Sequence, residues 1–127
     1  MPTKTKFEHG QFSWVELGTT DPAAAKKFYG GLFGWTFEDM PAGPDMIYTM
    51  NKLGNHRTSA LYKMGKEMQG VPPHWLSYFT VADCEATVQK AQSLGGTVMM
   101  PKTKIPQGTF AVLADPAGAA FAVIQPA

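Results

Sequence analysis

The sequence repeats itself at an offset of 62 positions, and that repeat limits the folds open to it more than any other feature. Residues 12–35 read as a strand, an Asp21-Pro22 entry, one amphipathic helix and a stop at Gly34. Sixty-two positions on, Trp14 falls on Leu76, Asp21 on Asp83, Ala24 on Ala86, Leu32 on Leu94 and Gly34 on Gly96. Self-similarity of this kind means two copies of one supersecondary unit.

Each copy has the same internal grammar. Phe12 to Thr19 alternates at period two, a strand signature, but one of its faces sets Trp14 beside Glu16. A face of that composition suits a cavity better than bulk solvent. Asp21 is an N-cap and Pro22 sits at the first helical position, where its missing N–H costs nothing. Ala24, Ala25, Phe28, Tyr29, Leu32 and Phe33 then recur at helical spacing.

Strands follow from Trp35, over Met46–Met50, and over about Arg57–Met64, separated by turns at Pro41–Pro44 and Leu53–Asn55. Residues 65–73 form a connector that ends in Pro72-Pro73, a pair that precludes a helix. The second copy opens with a strand from His74 to Val81, and Asp83 caps a helix running through Leu94 to Gly95-Gly96. Thr97–Met100 reads as a strand broken by Pro101. Gly108–Ala114 and Ala120–Ile124 form a hairpin across Asp115–Gly118. The expectation is an α+β chain of two tandem βαβββ modules with eight strands and two helices. It spans residues 1–127 as one domain, with module one at about 10–64 and module two at about 74–127.

Composition removes several classes of function. With 44% hydrophobic residues the chain can build a core, and a net charge of +1 offers no field for nucleic acid or an anionic membrane. Residues 1–10 are a polar lead-in, and no leader or membrane span is expected. Cys84 is the single cysteine, as suits a reducing cytoplasm; it follows the helix start at Asp83, where a thiol pKa would be lowered. The alternative is a small residue at a helix entry.

Taken together, His9-Gly10, Trp14–Leu17, Thr20-Asp21, Phe28-Tyr29, Leu32–Trp35, Pro73–Trp75, Val81–Asp83, Leu94–Gly96 and Asp115–Ala119 resemble the vicinal oxygen chelate superfamily. Its members include glyoxalase I, bleomycin-resistance proteins, extradiol dioxygenases and fosfomycin-resistance enzymes. The chain is most similar to a glyoxalase-like branch of small bacterial proteins. The resemblance implies paired modules, each a cupped sheet, around a cavity, and a homodimer.

It also implies where a metal would be held. Ligands in the superfamily's metal enzymes come from the first and last strand of each module. The first-strand position lies seven residues before the helix-opening aspartate, and here holds Trp14 and Leu76. The last-strand position of module two is Ala122, and its counterpart in module one falls among Thr58, Ser59 and Ala60. Indole and aliphatic side chains cannot bind a cation, so no metal or other cofactor is expected. A relocated site would need Glu16 and His74, with His56 or His9 recruited from turns.

By strand parity the concave face carries Trp14, Glu16, His74, Leu76, Tyr78, Ala120, Ala122 and Ile124, with Met46, Met50 or Met64 at the rim. Apolar walls with a few convergent polar groups are what small-molecule sites are made of. Glu16 stands out, because desolvation there would raise its pKa and make it a general acid or base, or an anchor for a ligand amine or hydroxyl. Its structural alternative is a salt bridge to Arg57 or a lysine. His74 would pair with Glu16, or be a partly exposed strand-start histidine. Arg57 would clamp an anion, or lie on a strand surface.

Three functions follow from these residues. The first is a metal-free binding protein for a hydrophobic or aromatic small molecule. The second is a metal-independent enzyme using Glu16, with Tyr78 or His74, on a carbonyl substrate. The third is a divalent-metal lyase or dioxygenase with relocated ligands.

Overall fold

The computed structural model describes residues 7–42 and 46–127, and the Gly43-Pro44 end of the first expected turn lies outside them, as do residues 1–6 of the expected lead-in. The chain divides into two compact units. One is built from residues 15–75, and the other from residues 76–127 with the segment ending at Trp14.

The first unit contains β1 (Phe12–Thr19) from Val15 onward, α1 (Pro22–Phe33), β2 (Thr36–Pro41), β3 (Ile47–Leu53) and β4 (His56–Lys63). Its strands lie in the order β2-β3-β4-β1, with β1 parallel to β4 and the other neighbours antiparallel. Asp21 accepts the Ala24 N–H at 3.1 Å, and Gly34 closes α1 at φ 73° with its N–H on the Gly30 carbonyl. Only a residue without a Cβ takes that left-handed closing position at no steric cost. Gly30 faces Phe37, whose ring lies 3.2 Å from where a Cβ would stand. That contact puts α1 on the sheet face of Phe37, Leu17 and Leu61, and leaves Glu16, Met50 and Ala60 on the other.

In the second unit, β5 (His74–Thr80) contributes from Leu76, followed by α2 (Cys84–Ser93), β6 (Thr97–Ile105), β7 (Gly108–Ala114) and β8 (Ala120–Pro126). The order is β5-β8-β7-β6, with β5 parallel to β8. Its core gathers Val81, Cys84, Ala111, Leu113 and Val123, with Val88, Ala91, Val98 and Phe121 packed against them.

The repeat survives into the hydrogen-bond register. Glu16 stands opposite Ala60, Ala60 opposite Met50, and Met50 opposite Glu38. In the second unit Tyr78 stands opposite Ala122, Ala122 opposite Val112, and Val112 opposite Met100. Every member of the second row is 62 positions beyond its counterpart in the first.

Several boundaries differ from the sequence-based expectation. β6 does not stop at Pro101 but runs on to Ile105. It is an edge strand whose pairing with β7 shifts register on both sides of Met100, and a proline is tolerated at such an edge. The connector contains a 3₁₀ turn at Lys66–Met68, upstream of the proline pair. α2 ends at Ser93, with Leu94 as its cap, because the left-handed residue is Gly95 at φ 94°. β3 begins at Ile47 and reaches Leu53. Among the described residues no helix is long and apolar enough to cross a membrane.

Candidate functional site

The face of the first unit turned away from α1 is unusual in what it buries. Glu16, in the interior of β1, is only 8% exposed. The Tyr48 hydroxyl donates a 2.5 Å hydrogen bond to its Oε2 from β3, two strands away. Tyr48 and Tyr62 are register partners, so both phenols and the carboxylate rise from the same face. Gly18 makes room for them, since a Cβ there would lie 3.2 Å from the Tyr62 hydroxyl and 3.1 Å from Met64 Cγ. Met50, Met64 and Ala60 supply the buried apolar floor. A charge-assisted hydrogen bond of this kind is how a strand keeps a carboxylate out of water.

The equivalent face of the second unit is apolar but for Thr80, which is buried opposite Ile124. Tyr78 takes the place of Glu16, and its ring lies 6.1 Å from Phe110, which takes the place of Tyr48. Val112 and Ile124 stand where the first unit has Met50 and Tyr62. Duplication thus left one scaffold with two surfaces, an acid–phenol pair on one and rings with aliphatics on the other.

Of the expected site residues, Glu16, Met50 and His74 belong to the first unit, and Trp14, Leu76, Tyr78 and Ala122 to the second. Trp14, Leu76, Tyr78 and Ala122 are all buried, whereas Ala120 is exposed. His74 is partly exposed, with Nδ1 2.9 Å from the Pro72 carbonyl, which fixes its ring against its own loop. Arg57 does not reach Glu16, because it pairs with Glu38 at 3.1 Å, and Tyr48 is the partner that Glu16 has instead. Met46 is exposed, one residue ahead of β3. The lowering that a helix start would give the Cys84 thiol pKa is reversed, in keeping with the alternative of a small residue at a helix entry: burial pushes it up, Lys102 opposes that, and Asp83 adds to it. The helix start is there, but the thiol itself is fully buried.

Tyr48 and Tyr62 were not foreseen. Each strand is legible in the sequence, but their standing on one face with Glu16 depends on the β1–β4 and β3–β4 registers. Alternation alone gives a strand its two faces and leaves open which residues stand opposite each other.

The register also resolves the ambiguous ligand position of module one. Ala60 is the counterpart of Ala122, and both are completely buried. The four positions that the resemblance implies are thus Trp14, Ala60, Leu76 and Ala122, and none of these side chains carries a donor atom that fits a cation. Among the described residues, no three of His, Cys, Asp and Glu converge as a ligand group. His9 Nδ1 accepts the Ala82 N–H at 3.0 Å.

In the second unit a shallow open groove is lined by Asp83, Glu85, Lys102, Lys104, Thr109 and Gln125. Lys102 and Glu85 approach within 3.6 Å across it, and both are well exposed. Exposed charges facing water make a poor ligand site, so the Glu16 face is the stronger candidate.

Comparison with known proteins agrees with this architecture. The family described as Glyoxalase/Bleomycin resistance protein/Dioxygenase superfamily matches residues 11–123. The Mycobacterium tuberculosis protein named "Putative glyoxylase CFP32" is 40% identical over 128 residues, which cover 98% of this chain and 49% of that protein. The Streptomyces peucetius "Anthracycline biosynthesis protein DnrV" is 36% identical over 132 residues, covering 94% of this chain and 48% of its own. The chain spans about half the length of the curated relatives it matches. Among solved structures, methylmalonyl-CoA epimerase from M. tuberculosis has the same fold, with a TM-score of 0.64 at 12% identity over 98% of this chain and 94% of that one. With a duplicated βαβββ register and a family match over nearly its whole length, this chain belongs to the Glyoxalase/Bleomycin resistance protein/Dioxygenase superfamily.

Proposed function

We propose that this chain binds a small hydrophobic or aromatic molecule without a metal ion, and that the Glu16–Tyr48 pair anchors a hydroxyl or amine of that molecule. The observation that carries the reading is a carboxylate held inside β1 by a phenol, on a face floored by Met50, Met64 and Ala60. Retaining a buried charge costs stability, and ligand recognition is a reason to retain one. The ligand positions filled by Trp14, Ala60, Leu76 and Ala122 support the loss of the metal site. A homodimer in the cytoplasm belongs to the same reading.

The test uses 2-naphthol and 2-methylnaphthalene, which differ in one hydroxyl. Wild-type protein is expected to bind 2-naphthol about tenfold more tightly by calorimetry, a difference of about 1.4 kcal/mol, and Glu16→Gln to erase the preference. Equal binding of both probes by the wild type would remove the anchor. Absence of saturable binding to either would remove the ligand reading.

A second reading has its own observation, since a buried carboxylate bonded to one phenol, with a second phenol on the same sheet face, is also a proton-transfer arrangement. In it Glu16 takes the proton α to a carbonyl and returns it to the resulting enolate. Phenylacetone in D₂O would then gain deuterium α to its carbonyl in the presence of the wild type and not of Glu16→Gln. Equal incorporation with both proteins would end this reading.

A further inference from the structure

The face that buries Glu16 has a second charged feature at its far edge. Glu38 on β2 stands in the row that runs through Met50 and Ala60 to Glu16, so all four side chains rise from one side of the sheet. Arg57 on β4 donates to Glu38 at 3.1 Å, and β3 lies between their two strands. The guanidinium therefore arches over β3 on the side that carries Glu16 and Tyr48.

A local irregularity aims it there. Ser59 stands opposite Asn51, but Arg57 rather than Thr58 stands opposite Lys52. β4 thus carries one extra residue, and Thr58 Oγ1 donates back to the Asn51 carbonyl at 3.2 Å. A bulge of this kind turns a side chain out of strict alternation, and bulges are frequent beside functional sites.

The repeat supplies an internal control. Sixty-two positions on, Arg57 becomes Ala119 and Glu38 becomes Met100. The ion pair is therefore not a demand of the βαβββ module. It occurs in the copy that also carries the buried acid.

The result is two polar poles on one apolar floor. Glu16 and Tyr48 make the buried pole, Met50 and Ala60 the floor, and Arg57, with its side chain 36% exposed, the rim. Strands spaced about 4.8 Å apart, with a rise of about 3.3 Å per residue, put the Arg57 and Glu16 backbones about 10 Å from each other. A fused aromatic ring system with a substituent at each end has a comparable span. The bond to Glu38 uses one terminal nitrogen of a group with five donors, and the planar fork of an arginine matches a carboxylate.

We propose that the ligand of this face is an aryl carboxylate with a hydroxyl or amine at its opposite end, the acid held by Arg57 and the hydroxyl or amine by Glu16. The inference rests on the preceding reading of Glu16 and Tyr48 as an anchor, and adds the acidic end. In the free protein Glu38 stands in for the ligand carboxylate and keeps Arg57 on the face. A ligand that covers the rim takes the guanidinium out of water, where its charge-assisted bonds strengthen.

The test compares 6-hydroxy-2-naphthoate with 2-naphthol by calorimetry at pH 7. Wild type should bind the acid about tenfold more tightly, the size expected of a charge-assisted pair at a rim open to water. Arg57→Gln should erase that preference. Glu38→Gln removes the competing carboxylate and should widen it, an effect that damage to the strand end would not give. A wild type that binds both compounds alike, or a preference unmoved in Arg57→Gln, would overturn the role of Arg57 and leave the hydroxyl anchor standing. A preference lost in Glu38→Gln as in Arg57→Gln would overturn it as well, since the pair would then act only by shaping the strand. Absence of saturable binding to either compound would overturn the anchor and this inference together.

Discussion

Tyr48 shows how one side chain can decide whether a charge is tolerable. Its hydroxyl satisfies Glu16 from across the sheet, and the phenol ring covers the same face. Tyr48→Phe keeps the ring and removes the bond, and hydrogen bonds to charged groups contribute about 1.5–3 kcal/mol. The variant should lose about 2 kcal/mol in urea unfolding at pH 7, and Tyr48→Phe in a Glu16→Gln background should lose distinctly less. Additive losses would mean the two side chains do not act as a pair. Cys84 gives a second test at this scale. Burial raises its thiol pKa above the ordinary 9.0, so the folded state holds the proton more tightly than the unfolded state. Its contribution is then complete below the unfolded pKa and is lost as pH climbs through the folded one. The stability advantage of wild type over Cys84→Ala should shrink between pH 7.5 and 10. Native protein should also react with a thiol reagent far more slowly than urea-unfolded protein, and equal rates would contradict the burial.

Among the elements, the β7–β8 pair is the least forgiving. Gly108 opens β7 at φ 148°, and a Cβ there would stand 2.0 Å from the Gln125 carbonyl oxygen. The backbone cannot yield that distance cheaply, so Gly108→Ala should cost about 2 kcal/mol or more in thermal or urea unfolding. A change within about 0.5 kcal/mol would show that the strand end moves freely. The helices were the most legible elements in the sequence, because Asp21, Pro22, Gly34 and Asp83 act through local geometry that needs no partner strand. β6 was not, because whether Pro101 ends a strand depends on its place in the sheet. At an edge, the missing N–H breaks no ladder on the outer side, and the register shifts around Met100 absorb the ring. Glu16 was legible as an oddity of alternation, whereas Tyr48 and Tyr62 were hidden by register. Tyr48's strand meets β1 only through β4, and no local signal encodes the alignment of either β3 or β4 with β1.

At the level of the whole molecule, the two copies share one scaffold and differ in the side chains it carries. Rows of residues 62 positions apart hold the same places in both units, yet one row presents an acid and two phenols and the other presents rings and aliphatics. The two helices diverged as well, with aromatics on α1 and lysine on α2. Under the proposed function, the absence of donor atoms at Trp14, Ala60, Leu76 and Ala122 leaves recognition to Glu16 and its phenol. The direct measurement is elemental analysis of protein purified without chelator, paired with 2-naphthol calorimetry before and after EDTA. Less than about 0.1 divalent metal ion per chain, with binding unchanged by EDTA, is the predicted result. One metal ion per chain, removed by EDTA together with 2-naphthol binding, would contradict it.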